Sequence, residues 1–443
     1  MELIHEIVWG PAMLFLFLFT GALYMVRLRG FPLLGFFQWW RATAGSLRRA
    51  GENRNGGISQ FQSACTALAA TIGTGNITGV ATALLAGGPG AVFWMWISAF
   101  LGMATAYGET ELGIRYRRPA KNGGWASGPM LYLEQGMKCP ALGILYAFFC
   151  MAASFGMGSM VQANAISESL GFAFDLPAGF IGLVLAVLSG RILFGGIGKI
   201  AGAAARLVPV SALLYMAAAL GVLFVYRENL VSSFVLILTD AFSFHSAAGG
   251  ALGYGISRAV RYGIARGVFS NEAGLGSMAI LNGGVGEAAP GSQGQWAIFE
   301  VFFDTIISCT LTALVILCVM GEELGRFWGN GADLTGFCFA EGLGNPGGYA
   351  VSVCVTLFAF ATIIAWYYMG KQSADYLGEA FGIDLSYPYL CFYLAAVFVG
   401  SLGPMEQVWG LSDIFNGLMA VPNLIALIVL SGTICRPKPP AHS

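Results

Sequence analysis

The sequence predicts an all-α polytopic membrane protein that crosses the bilayer about eleven times, and three observations carry that expectation. Of its 443 residues, 57% are hydrophobic and only 10% are charged, against roughly 45–50% and roughly 25% in an average soluble domain. So few charges cannot clothe a water-exposed globule, and a mean hydropathy of +0.71 leaves the apolar excess to lipid. Apolar runs of about 20 residues, the length that crosses the hydrocarbon core, recur between charged or Pro/Gly-rich breaks. They fall at 8–26, 58–86, 90–113, 143–169, 177–195, 206–226, 257–281, 294–320, 347–369, 386–402 and 408–431. Finally, the 63 glycines are about twice the usual ~7% share, which suits close packing and broken helices inside a membrane. A β-barrel would alternate apolar and polar residues, whereas Leu311 to Val319 is almost continuously apolar.

The same composition excludes other classes. A formal charge of −1 without a dense basic cluster does not attract nucleic acid. The cysteines, among them Cys65, Cys150, Cys309, Cys318, Cys354 and Cys391, sit mostly in apolar runs and form no CxxC pair, so they read as small core hydrophobes. Met1 to Glu6 is acidic where a cleavable signal would be basic, so the run from Val8 to Val26 is expected to stay as a spanning helix. The histidines His5, His245 and His442 fall outside every span, which leaves an intramembrane enzyme without a base, and no filter sequence repeats as a channel would require.

Basic residues set the orientation. With the amino terminus outside, the inward loops hold Arg27, Arg29, Arg41, Arg48, Arg49, Arg54, then Arg115, Arg117, Arg118, Lys121, Lys138, then Arg191, Lys199, Arg206, then Lys371, and finally Arg436 and Lys438. The outward loops hold only Arg227 and Arg326. The terminus is therefore expected outside and the carboxy terminus in the cytoplasm. Phe31 to Ala50, with Trp39-Trp40 and a basic end, reads as an interfacial helix.

Two spans are interrupted. The second contains Thr71-Ile72-Gly73-Thr74-Gly75-Asn76-Ile77-Thr78-Gly79, and the seventh contains Ser270-Asn271-Glu272-Ala273-Gly274-Leu275-Gly276-Ser277. Glycine costs a helix roughly 1 kcal/mol each relative to alanine, and polar groups at mid-membrane depth need protein partners. If spans two to six and seven to eleven form two five-helix halves, these segments open each half. The odd helix number then makes the second half an inverted copy of the first. The chain divides accordingly into an extra amino-terminal helix (1–26), a cytoplasmic interfacial segment (27–57), a first five-helix repeat (58–226), an extracellular linker (227–256), an inverted second repeat (257–431) and a cytoplasmic tail (432–443). A lone glycine motif can serve close packing, but a matched pair of broken helices points to a transporter's binding site. Free N–H groups at the start of a half-helix bind a carboxylate, and free carbonyls at the end of the other half coordinate a hard cation such as Na⁺.

The runs GTGNITGVATALLAGGPGAVFWMW, MVQANAIS, RGVFSNEAGLGS and FEVFFDTIISCTLTALVIL resemble, in order and spacing, the signatures of the alanine or glycine:cation symporter family, and the likeness covers nearly the whole chain. The resemblance implies a leucine-transporter-type five-plus-five inverted repeat with one extra amino-terminal helix. It also implies cation coupling by Na⁺, or by H⁺ in some members, and alanine or glycine as cargo. Ile72-Gly73-Thr74-Gly75-Asn76 is similar to the unwound first core helix of the neurotransmitter:sodium symporters. That likeness assigns the substrate carboxylate to the backbone N–H groups of Thr74 and Gly75, and one sodium ion to the Asn76 side chain with the Thr71 carbonyl. A second sodium falls to the carbonyls of Ala69 and Ile72 with Thr362. Gln162 and Trp366 are implied substrate contacts, with Phe269, Ser270, Asn271 and Gly274 from the second broken segment, and Phe155 is a further candidate wall. The chain departs from the family's pattern at Ala361, where a hydroxyl residue is usual, and at Met278-Ala279, where Ala-Pro is common.

Three carboxylates remain. Glu272 at mid-membrane depth costs roughly 3 kcal/mol, so it is expected to accept N–H groups of the broken helix and neutralise Arg258, Arg261 or Arg266, with cation coupling as the competing role. Glu300 and Asp304 lie one turn apart on one helix face; bundle-facing hydrogen bonds are expected of both, with Asp304 the more consequential. No cofactor is expected beyond Na⁺ as coupling ion. The expected activity is inward symport of a small neutral amino acid at the cell inner membrane, the alternative being another neutral amino acid such as glutamine.

Overall fold

Every apolar run of the sequence carries a helix in the computed structural model, which describes residues 8–45, 58–120, 123–242, 252–286, 291–403 and 406–434. Met1 to Glu6, the three histidines, Arg48, Arg49, Arg54, Lys121, Arg436 and Lys438 lie outside the described residues. Among the described residues, six helices are long and apolar enough to cross a membrane: Ala91–Arg115, Pro140–Gly171, Gly196–Val225, Ser292–Arg326, Asn345–Phe381 and Val408–Thr433. The pair Gln60–Thr71 and Gly75–Gly87, bent by 50°, makes a seventh. Pro11–Arg27, Ala178–Leu193 and Ser386–Gly400 are shorter apolar helices. Large side chains such as Phe15, Leu213 and Phe392 are exposed around the outside, where only lipid can solvate them.

Local chemistry starts and stops these elements. Ser59 opens the first broken helix with a capping box, its hydroxyl accepting from the Gln62 N–H while the Gln62 side chain accepts from the Ser59 N–H. Asn330 does the same with Asp333 for Gly331–Leu343. Proline in the first turn opens Pro11–Arg27 and Pro140–Phe155, where its missing N–H leaves no bond unmade.

Ala91–Arg115 runs through the centre. It packs against the amino-terminal helix, against Leu252–Asn271 and Ser277–Gly283, and against Ser292–Val301. On the other side the 37-residue Asn345–Phe381 packs on Gln60–Thr71, Pro140–Phe155, Val161–Phe174 and Gly196–Val225. Glycine permits close approach: a Cβ on Gly263 would stand 2.3 Å from the Ala91 carbonyl oxygen, so these two backbones touch directly. Three stretches, Gly75–Gly79, Gly156–Met160 and Phe302–Cys309, are wound as π-helix, a form that tends to mark functional positions.

Several expectations are corrected. Trp39 is fully buried, donating to the Pro32 carbonyl and packed against Phe36 and Phe302, whereas Leu33, Leu34, Phe37, Trp40 and Arg41 face outward from the short helices Phe31–Leu34 and Phe36–Ala42. Part of the expected linker 227–256 is the helix Leu230–Ala241, too short to register as a span. Lys371 is not in a loop: Asn345–Phe381 runs on past 369, and Lys371 pairs with Asp375 one turn later at 2.7 Å. The described cysteines are all free.

The contact at Gly263 is testable. Gly263→Leu should lower the melting temperature of the detergent-solubilised protein by several degrees, as overpacking costs about 1–3 kcal/mol, whereas Gly198→Ala, in open space on its helix, should leave it unchanged or slightly raised.

Candidate functional site

The first broken helix loses its regular turn at Ile72, whose backbone is extended (φ −77°, ψ 98°), and resumes through the π-turn at Gly75. Three of the main-chain groups around the break find side-chain partners within the protein, as polar groups at membrane depth require. The Gly73 N–H donates to Asn76 Oδ1 at 3.0 Å, Thr312 Oγ1 donates to the Asn76 carbonyl at 2.7 Å, and Thr362 Oγ1 donates to the Ala69 carbonyl at 2.9 Å. A Cβ on Gly73 would stand 2.8 Å from Thr362 Oγ1, so only glycine lets this helix approach the break.

The second break runs from Glu272 to Gly276. Glu272 itself is left-handed (φ 55°), as are Gly274 (φ 98°) and Gly276 (φ 89°). A non-glycine residue there is strained by about 1–3 kcal/mol and persists only where its surroundings hold it. They do. Asn271 Oδ1 accepts the Ala273 N–H (3.1 Å), Glu109 Oε1 accepts the Gly276 N–H (3.0 Å), Asn423 Nδ2 donates to the Gly274 carbonyl (2.9 Å) and the Tyr146 hydroxyl donates to the Leu275 carbonyl (3.2 Å).

The two breaks meet at Asp304. This fully buried carboxylate accepts Asn76 Nδ2 at 2.6 Å from the first broken helix, Ser270 Oγ at 2.8 Å from the second, and Thr305 Oγ1 at 2.8 Å from its own turn. Gly75 faces the second helix directly: a Cβ there would lie 3.5 Å from Ser270 Cα and 3.6 Å from the Phe269 ring. Gln162 Nε2 lies 3.4 Å from Thr74 Oγ1 and donates to the Met157 carbonyl at 3.2 Å. Trp366 Nε1 donates to Glu272 Oε1 at 3.1 Å, and its Cβ packs so closely on Gly158 that a methyl there would approach within 2.5 Å. The geometry thus brings together Thr74, Gly75, Asn76, Gln162, Phe269, Ser270 and Asp304, and beside them Ala69 with Thr362 and Glu272 with Trp366.

Other candidates lie elsewhere. A Cβ on Gly274 would strike Phe17 of the amino-terminal helix at 2.6 Å, so Gly274 faces away from Gly75. Asn271 points toward Gly102 and spends its amide on Ala273 and Thr305. Thr71 turns its hydroxyl back onto the Leu68 carbonyl at 3.4 Å, leaving only its main chain for a ligand. The Phe155 ring packs on Tyr389 and Tyr393 and makes no ring contact with Phe269 or Trp366. Glu272 is not held by the arginines: Arg266 stacks over Phe269 and faces Asp413 at 3.9 Å, and Arg258 donates to the Ala86 carbonyl. The partner is Trp366, and the second carboxylate oxygen has no hydrogen-bond partner. Ala361 is buried with no solvent contact beside Thr362, and Met278 and Ala279 are buried likewise.

A sequence profile described as the sodium:alanine symporter family matches residues 1–438. The chain belongs to the sodium:alanine symporter family. It is 41% identical to the sodium/alanine symporter AgcS of Methanococcus maripaludis over 439 residues, which is 97% of this chain and 94% of that one. The probable sodium/glutamine symporter GlnT of Bacillus subtilis is 34% identical over 432 residues, 97% of this chain and 87% of that one. Among solved structures, MhsT in complex with L-phenylalanine aligns with a TM-score of 0.63 at 14% identity, covering 86% of this chain and 90% of that chain. A nucleobase-cation-symport-1 family transporter, Mhp1, aligns at 0.51 and 13% identity over 84% and 90%. At such identities the likeness is one of fold, and the fold of this symporter family member is shared with these transporters.

Sequence reasoning missed the residues that hold this symporter's breaks in shape. Glu109 and Asn423 were legible in principle, since a glutamate inside AYGETELG and an asparagine inside VPNLIAL are costly at membrane depth and imply a partner. Tyr146, Thr305 and Thr312 carry no such signal. Trp366→Phe keeps the packing on Gly158 but strips Glu272 of its donor, a loss of about 1–3 kcal/mol. Thermal melting should show the double variant Trp366→Phe/Glu272→Gln less destabilised than the sum of the two single variants; strict additivity would break the link.

Proposed function

We propose that this chain is a secondary active symporter of the cell inner membrane, moving alanine or glycine inward together with Na⁺ by alternating access. The observation that carries the reading is the meeting of two broken helices at Asp304, with Gly75 bare against Ser270 and Phe269. Half-helix ends there offer N–H groups to a carboxylate and carbonyls to a cation. The relative named a sodium/alanine symporter, alike over almost the full length of both chains, supports the same cargo and ion.

In this reading the N–H groups of Thr74 and Gly75 hold the substrate carboxylate, Gln162 and Ser270 border it, and Phe269 and Trp366 wall a space that excludes larger side chains. One Na⁺ takes the Asn76 side-chain oxygen and the Thr71 carbonyl, with Asp304 supplying negative charge beside it. A second takes the carbonyls of Ala69 and Ile72 with the Thr362 hydroxyl. Eleven helices cross the membrane as one extra helix and two inverted five-helix repeats, 58–226 and 257–431, with the amino terminus outside and the carboxy terminus in the cytoplasm. Each bound ligand stabilises the arrangement it contacts better, so cation and substrate together shift the balance between outward and inward access. A second reading, glutamine as cargo, draws on the relative named a probable sodium/glutamine symporter.

Purified protein in liposomes should accumulate labelled alanine or glycine when Na⁺ is imposed outside, and unlabelled alanine should compete; preferential accumulation of glutamine would favour the second reading. Gly75→Leu should abolish binding without preventing membrane insertion, because its side chain fills the seat of the carboxylate. Asn76→Ala should raise the Na⁺ concentration for half-maximal uptake far more than it alters maximal rate; unchanged Na⁺ dependence would remove Asn76 from the ion site.

A further inference from the structure

Glu300 lies on Ser292–Val301, one turn before Asp304, with no solvent exposure. Its Oε2 accepts from Asn282 Nδ2 at 2.9 Å, and Asn282 Oδ1 accepts in turn from Gln293 Nε2 at 2.6 Å, both partners being fully buried. What this chain of bonds leaves over is oxygen: Glu300 Oε1 and Gln293 Oε1 have no donor. Among the described residues no Lys, Arg or His forms an ion pair with Glu300. A carboxylate removed from water without a counter-charge is strongly disfavoured, and leftover acceptors are completed only by a donor or a cation.

We infer that Glu300, with Gln293 and Asn282 beside it, binds a small monovalent cation, Na⁺ or H⁺, at a site separate from the one between the breaks. One negative charge with a leftover oxygen on Glu300, and a second leftover oxygen on the Gln293 amide at the other end of the Asn282 bridge, matches one positive charge, whereas a divalent ion would need more carboxylates than this corner offers. The titratable groups on the elements packed around it do not supply the missing charge. Cys65 on Gln60–Thr71 is a buried thiol. On Ala91–Arg115, Tyr107 is a phenol, Glu109 serves Gly276 and Asn423, Glu111 accepts the N–H groups of Gly291 and Gly294, and Arg115 donates to the Thr433 carbonyl. Arg41 on Phe36–Ala42 is exposed, and Asp304 is held as described above.

The position gives the ion a use. Asn282 belongs to Ser277–Gly283, the half-helix after the second break, and Gln60–Thr71, the half before the first break, packs against both Ser277–Gly283 and Ser292–Val301. Ser63 Oγ donates to the Leu281 carbonyl at 3.1 Å, and Gln60 Nε2 donates to Ser292 Oγ at 2.7 Å. A cation on Glu300 therefore draws together the elements that must part for the site to open on their side, and its departure loosens them. The inference rests on the symport reading for its role, but ion binding itself is measurable without transport.

The test is the thermal stability of the purified full-length protein without amino acid, titrated with Na⁺ at constant ionic strength and separately with pH, for the parent and for Glu300→Gln, which removes the charge and keeps the size. Ligand binding raises the melting point by mass action. If the ion is Na⁺, Glu300→Gln loses part of the Na⁺ response, and in the parent that part weakens as the pH falls because a proton competes for the same carboxylate. If it is H⁺, the variant loses stabilisation toward low pH and keeps the Na⁺ response. Gln293→Ala, which retains the charge, should weaken the same ion's binding by about tenfold, and it reads the site alone should Glu300→Gln fail to fold. Parent-like responses to both ions in the variants that fold would overturn the inference. In liposomes, the matching loss is one cation carried per amino acid. A parent that takes up no amino acid with Na⁺ would instead count against the proposed function and leave the ion titrations standing.

Discussion

The constraint on which this architecture depends is that a main-chain N–H or C=O freed inside a bilayer has no water to turn to. Both breaks would be prohibitively costly in isolation. Each is made tolerable by side chains aimed at the exposed groups: Asn76, Thr312 and Thr362 at the first, Asn271, Glu109, Asn423 and Tyr146 at the second. Most of these belong to other helices, so the shape of each break is a property of the bundle. The left-handed Glu272 is a local strain that only such surroundings can hold, and the close packing at Gly73 and Gly158 leaves no room for a side chain.

Buried carboxylates form a second layer of the same logic. Asp304 is saturated by donors from both broken helices and so ties their positions together. Glu109 and Glu272 are each half satisfied, by Gly276 with Asn423 and by Trp366 respectively, and Glu300 by Asn282. In a low dielectric a half-satisfied carboxylate is sensitive to whatever positive charge arrives. On the proposed reading, acidic groups so placed let a small ion change the relative stability of helix arrangements, which is the physical requirement for coupling an ion gradient to movement of a second solute.

Packing between the helices is backbone-close in places. Gly263 lies on the Ala91 carbonyl, while Gly75 leaves room for about one methyl group before Ser270 and Phe269. Van der Waals contact at glycine, not burial of large apolar side chains, drives helix association where lipid is as apolar as leucine. The π-wound turns at Gly75–Gly79 and Phe302–Cys309 rotate side chains out of the regular helical stripe, and they carry Asn76 and Asp304, which face each other.

The sequence by itself determined that this is a many-helix membrane protein, where its apolar runs fall, and that spans two and seven are interrupted, because composition, run length and glycine density are properties of the chain alone. The family signatures singled out Thr74, Gly75, Asn76, Gln162 and Phe269, and these do cluster. Only the tertiary structure decided the rest. A helix shows which residues share its face but not what stands opposite, so the sequence could offer arginines as partners for Glu272 while the fold set Trp366 there. The same ignorance of facing surfaces hid the turning-away of Gly274 toward Phe17 and the service of Glu109 and Asn423 to a break far along the chain.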